Sequence, residues 1–155
     1  MGAKKTTVIA EMINDNLKLR YDEFVNEINI KTDFAKEEVQ IEAGRLTDNK
    51  VLLIQTFLER KYDIALTNAK VNEAINMAAT QNTYSSAYDW IESKTWDGKK
   101  RLWTITSDIF GNNDRGINKA VAIWITNLVA GAYGTATGKF QYSLDIIGQQ
   151  GTGKT

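Results

Sequence analysis

The chain opens on a helical rhythm. From Thr6 to Asn14 the run TTVIAEMIN sets Val8, Ile9, Met12 and Ile13 three and four residues apart, along one face of a helix, with Thr6 or Thr7 available as a cap. The rhythm then changes. In LKLRYDEFVNEINI the apolar positions Leu17, Leu19 and Tyr21, then Phe24, then Ile28 and Ile30, fall near period two, with a break around Val25 and Asn26. Side chains alternate across a strand, so this spacing predicts a β-hairpin over residues 17–31.

KTDFAKEEVQIEAGR reads as a polar connection. In LTDNKVLLIQTFLERKY, Thr47 can cap a helix carrying Val51, Leu52, Ile54, Phe57 and Leu58 on one broad face. A short extended piece, DIAL, leads to Thr67, which can cap NAKVNEAINMAATQN. The order helix, short strand, helix resembles a winged-helix-like or small helical module. SSAYDWIESKTW and RLWTITSDIF each predict a short helix, GNNDRG breaks the chain, and KAVAIWITNLVAGAY, Lys119 to Tyr133, predicts a long buried helix. Gly134 to Lys139 reads as a loop or boundary, and FQYSLDIIG as a strand entering a glycine-rich loop. The expected fold is therefore mainly α with a small β-hairpin (α+β). A mostly helical region over 1–137 is followed at 138–155 by the first strand and phosphate loop of a truncated α/β domain. Trp90, Trp96, Trp103 and Trp124 are expected to share a core, at least in part.

Composition removes several chemistries. Without cysteine or histidine there is no disulfide, thiolate zinc site, imidazole base or Ser-His-Asp triad, which leaves carboxylates, Lys, Arg, hydroxyls and backbone amides. Basic and acidic residues both number 19, so any surface for nucleic acid must be local. The best apolar run is too short to span a bilayer and contains Asn127. MGAKKT fits a myristoylation template, but nothing else suggests a membrane.

The last eight residues, GQQGTGKT, fit the phosphate-loop template G-x-x-x-x-G-K-[ST]. Gly148, Gly151 and Gly153 let the backbone curl, so that its N–H groups and that of Thr152 make an anion nest, which the next helix deepens. Lys154 then reaches the β- and γ-phosphates of ATP, and Thr155 offers its hydroxyl to Mg²⁺. A flexible glycine-rich tail is the plainer alternative. A second candidate is Lys99, Lys100 and Arg101, which follow the Asp97-Gly98 turn and can meet DNA phosphates without net charge on the chain. Its plainer alternative is a solvated helix start, with the aromatic Tyr88, Trp90, Trp96 and Trp103 and the aliphatic Ile91 as core residues.

The series YDEF, LTDN, AATQNTY, WIESKTWDGKKRL, IFG, a long apolar helix and GKFQYSLDIIGQQGTGKT resembles the virulence-associated protein E family. The likeness runs from about Leu17 onward and is most specific at Trp96-Asp97-Gly98 with Arg101 and at the phosphate loop. Ser85-Ser86 stands where the family often has His-Pro, and Ile147-Gly148-Gln149 where it has a proline nearby. The resemblance implies a replication protein of phages and mobile islands, a primase-helicase-like ATPase related to superfamily 3 and AAA+ helicases. It also implies DNA as partner, a homo-oligomeric ring and a bacterial cytoplasmic setting.

Two functional classes follow: the N-terminal part of a helicase-type ATPase, or a self-contained helical DNA- or partner-binding module without catalysis. A small P-loop kinase fits less well, since about 140 residues precede the loop, whereas such kinases commonly carry it near the N-terminus. The catalytic set is incomplete without a following helix and an acidic strand, and a terminal carboxylate beside Lys154 and Thr155 opposes a triphosphate. The 155 residues are thus expected to be a fragment that needs more chain to use ATP and Mg²⁺. Calorimetric titration with Mg-ATP should show no micromolar binding until that helix and strand are added. Micromolar binding by the 155 residues alone would contradict this.

Overall fold

Helix α1 (Thr6–Asn14) buries Ile9, Ala10 and Ile13. It starts differently from the sequence reading, because Lys5 occupies the N-cap without a side-chain bond and Thr6 Oγ1 donates instead to Glu73 at 3.3 Å. The computed structural model from which this follows describes residues 5–134 and 142–147. Along the chain it divides into two compact units, 1–89 and 90–155.

In the first unit the expected hairpin is present as β1 (Leu19–Asp22) and β2 (Glu27–Ile30), antiparallel with Leu19 opposite Ile30 and Asp22 opposite Glu27. The break at Val25 and Asn26 is its turn. Asn26 adopts a left-handed φ of 56° and accepts from the Tyr21 hydroxyl at 2.9 Å, while Phe24 stands exposed.

The stretch read as a polar connection is a second hairpin, β3 (Phe34–Lys36) and β4 (Val39–Ile41), followed by β5 (Gly44–Arg45), which joins β2. Phe34, Val39 and Ile41 face inward, and the ring of Phe34 meets that of Phe57 edge-on at 4.7 Å. The turn is hidden in the sequence because Glu37 and Glu38, rather than Asn-Gly, take the two left-handed positions, with φ of 51° and 59°.

Helices α2 (Asp48–Tyr62) and α3 (Asn68–Thr80) are capped as expected, Thr47 accepting from the Lys50 amide and Thr67 from the Lys70 amide. Leu52 is exposed rather than part of the buried face. DIAL is not a strand. Asp63 ends α2 in a left-handed conformation, and side chains of α2 satisfy the backbone of Leu66: Gln55 donates to its carbonyl at 2.9 Å and Glu59 accepts its amide at 3.0 Å. β6 (Thr83–Tyr84) then runs parallel to β1, giving a four-stranded sheet in the order β5-β2-β1-β6. Leu19 and Ile30 join Ile13, Ile54, Phe57, Leu58 and Ile75 in one apolar core.

The second unit begins within helix α4 (Ser86–Glu92), along which the two units meet in sequence. α5 (Ile105–Phe110) ends at Gly111, whose φ of 66° lets Asn112 donate back to the Thr106 carbonyl at 3.2 Å. α6 (Arg115–Ala132) begins at Asp114, which accepts the amides of Gly116 and Ile117. The join between α5 and α6 is polar and buried: Asn118 accepts from the Thr106 amide at 3.2 Å and donates to the carbonyls of Asn112 and Asp114.

The long apolar helix is not buried. Only Asn118 and Ala122 of α6 are enclosed, because the six-residue α5 that packs on it covers a narrow stripe. The common tryptophan core also does not form: Trp90, Trp96 and Trp103 are 64%, 71% and 59% exposed. Trp124 is partly buried, its indole donating to the Tyr142 carbonyl at 2.9 Å. Residues 142–147 hold no strand, since no strand among the described residues runs beside them. The boundary expected at 137/138 lies outside the described residues. Among those described, no helix is long and apolar enough to cross a membrane.

One buried carboxylate ties the first unit together. Asp22, 2% exposed, accepts the amides of Phe24 and Ser86, both at 3.1 Å, and so joins the hairpin turn to the start of α4. Burial raises its carboxyl, but hydrogen bonds from Ser86, Phe24 and Tyr84 outweigh this and hold it below the ordinary range. A carboxyl lowered in this way stabilises the fold above about pH 4, and the contribution is lost as pH falls through the folded-state value. Asp22→Ala should therefore cost about 2–3 kcal/mol at pH 7. In urea denaturation the gap to the parent should narrow toward pH 2, and an equal gap at both pH values would contradict this role.

Candidate nucleic-acid interface

Between α4 and α5 the chain runs through Ser93–Thr104, where the sequence alternates cations with indoles and holds few aliphatic residues. Such a segment has little to bury. Asp97 organises it instead: its Oδ1 accepts the Lys99 amide at 3.1 Å, and its two oxygens take the Arg101 guanidinium at 2.8 and 2.6 Å. The bend requires Gly98, whose φ of 81° is left-handed. No atom crowds the position of a Cβ there, so the requirement is conformational rather than steric.

The bidentate pair fixes charge as well as shape. Hydrogen bonds from Arg101, then from the Lys99 amide, bring the Asp97 carboxyl down to about 2, and Asp97 raises Arg101. Both groups are solvent-exposed, so the pair acts on the loop's geometry more than on its stability.

This changes the standing of the three expected cations. Lys99 and Lys100 are exposed and form no ion pair among the described residues, whereas Arg101 is neutralised by Asp97. They also lie in a loop rather than at a helix start, since α5 begins only at Ile105. The structure brings all three to one pocket of about 360 Å³, with Trp96, Trp103, Leu102, Ile105 and Ile125 as its other walls. The indole N–H of Trp96 donates to the Lys99 carbonyl at 3.3 Å. On the adjoining turn the Lys94 ammonium lies 4.8 Å from the Trp90 ring centre, and the Tyr133 hydroxyl bonds Glu92.

Aromatic faces beside unpaired cations are the side-chain types that stacking on bases and contact with phosphates require. Sequence reading found the cations and assigned the indoles to a core. The signal it passed over is their spacing: Trp90, Trp96 and Trp103 are interleaved with Lys94, Lys99, Lys100 and Arg101 rather than with aliphatic residues.

The phosphate-loop positions Gly148, Gly151, Thr152, Gly153, Lys154 and Thr155 lie outside the described residues. Among those described, no cluster of acidic side chains suits a metal ion.

No curated protein matches the chain. A family model does match, that of the virulence-associated protein E-like domain, over residues 91–155. The match begins one residue after the start of the second compact unit and takes in the whole tryptophan-cation loop, while the stretch from Leu17 to Trp90 lies outside it. Over residues 91–155 the chain is thus similar to the virulence-associated protein E-like domain.

Proposed function

We propose that the chain is part of a DNA-replication protein of phages or mobile elements, a helicase-type P-loop ATPase, and that the loop between α4 and α5 is where it meets single-stranded DNA. The observation that carries the DNA contact is the shared pocket of Trp96, Trp103, Lys99 and Lys100. Indoles that are more than half exposed cost solvation unless a partner covers them, and a base offers a flat face of matching size. The lysines supply the phosphate contacts that give such binding its strength and salt dependence. Asp97 and Arg101 act beneath them as positioning residues.

The ATPase half of the proposal is supported by the GQQGTGKT sequence and by the family match that contains it. In it, Gly148, Gly151, Thr152, Gly153 and Lys154 hold the phosphates of ATP, and Thr155 holds Mg²⁺ through the nucleotide. ATP held there would supply free energy for moving or separating strands through hydrolysis of its β–γ phosphoanhydride bond to ADP and phosphate, and a homo-oligomeric ring would be the assembly in which the domain acts. The binding-module alternative keeps the same DNA surface and dispenses with ATP.

Fluorescence anisotropy with a labelled oligothymidylate tests the DNA contact. Replacing Lys99 and Lys100 with Ala should lower the slope of log K against log salt by about 1.4, from two single-strand phosphate contacts. Trp96→Ala should weaken binding by about 1–3 kcal/mol at every salt concentration. Arg101→Ala should affect affinity less than the two lysines together. Unchanged affinity and slope in the lysine and tryptophan variants would overturn the assignment.

A further inference from the structure

The first unit carries a second cationic concavity, which the loop described above does not use. At the open end of the β1–β2 hairpin, where α1 and α3 both end, a groove of about 740 Å³ is lined by Lys18, Arg20, Lys31, Asn14, Asn82 and Tyr84, among others. Among the described residues, no carboxylate lines it.

The register explains why this arrangement is costly when empty. The Lys31 amide donates to the Lys18 carbonyl at 2.8 Å, extending the ladder one step beyond Leu19 and Ile30. Lys18 and Lys31 are therefore direct cross-strand neighbours, and like charges so placed repel. Arg20 follows two residues along β1, on the same side of the strand as Lys18. Its guanidinium carbon sits 4.0 Å from the centre of the Tyr84 ring, and its Nε is buried without a hydrogen-bond partner among the described residues. Tyr84 is itself fixed, since Asn29 donates to its hydroxyl at 3.3 Å.

The ends of α1 and α3 offset part of this charge. Each helix C-terminus carries roughly half a negative charge, so two of them leave about two of the three positive charges uncompensated. Three cations, a flat Arg-Tyr stack and flanking amides make a site for phosphate, where a guanidinium and ammoniums replace the water around the anion.

We propose that this groove binds phosphate groups, as the backbone of a nucleic-acid strand or as a free phosphate compound. In its nucleic-acid form the proposal rests on the DNA reading above, and adds a second contact on the N-terminal unit.

The test uses the full chain and the double variant Lys18→Gln/Lys31→Gln, each titrated with a twelve-residue oligothymidylate and with pyrophosphate. Both lysines are exposed, so the core is untouched, and circular dichroism verifies folding. Arg20→Lys, which keeps the charge and gives up the planar stack, is the second variant should the first misfold. An oligothymidylate affinity that falls about tenfold assigns the groove to the nucleic-acid backbone. Loss of pyrophosphate binding with oligothymidylate unaffected assigns it to a free phosphate compound. Indifference of both ligands to both variants overturns the proposal. The same substitutions in a Lys99→Ala/Lys100→Ala background keep the two sites apart: a failure of the loop assignment leaves the groove effect intact, and the reverse.

Discussion

A strand places successive side chains on opposite faces, so the β1–β2 register settles two matters at once. With Leu19 opposite Ile30, both enter the core with α1, α2 and α3; with Arg20 opposite Asn29, both face the other way. A slip of one residue would put Arg20 into the core and Leu19 into water. Asp22 guards against it from the end of the strand, because its buried carboxylate is satisfied only where the amides of Phe24 and Ser86 both reach it. The start of α4 and the addition of β6 beside β1 depend on that same point. So does the cationic groove, whose lysines are neighbours only in this register.

The second unit is built on other terms. Its centre is the bonded pair of Thr106 and Asn118 with Ala122, and much of its large apolar surface stays accessible, including Trp96, Trp103, Ile123 and Leu128. Hydrogen bonds rather than burial fix its loop, with Asp97 taking the Lys99 amide and the Arg101 guanidinium. A surface held in this way can present aromatic faces to a partner without losing its shape.

The sequence disclosed whatever depended on local pattern. α1, α2, α3 and the first hairpin follow from spacing, and Thr47 and Thr67 cap as threonines do. It concealed what depended on neighbours. The second hairpin turns on two glutamates in left-handed conformations, for which residue type gives no cue. α6 is as apolar as a buried helix, yet how far it is covered depends on the length of α5. The tryptophans were misplaced because large aromatics usually dominate cores, and only the scarcity of aliphatic residues around Trp96 and Trp103 argued otherwise. At the candidate interface, Lys99 and Lys100 were legible as cations, whereas the loss of Arg101 to Asp97 needed the geometry of the turn.

The central claim is that DNA bases lie on the indoles of the α4–α5 loop. Photocrosslinking with an oligonucleotide carrying iodouracil, followed by peptide mapping, tests it most directly, because this chromophore couples to aromatic rings stacked on it. The account predicts crosslinks at Trp96 or Trp103. A strand that binds the protein yet crosslinks only elsewhere would contradict it.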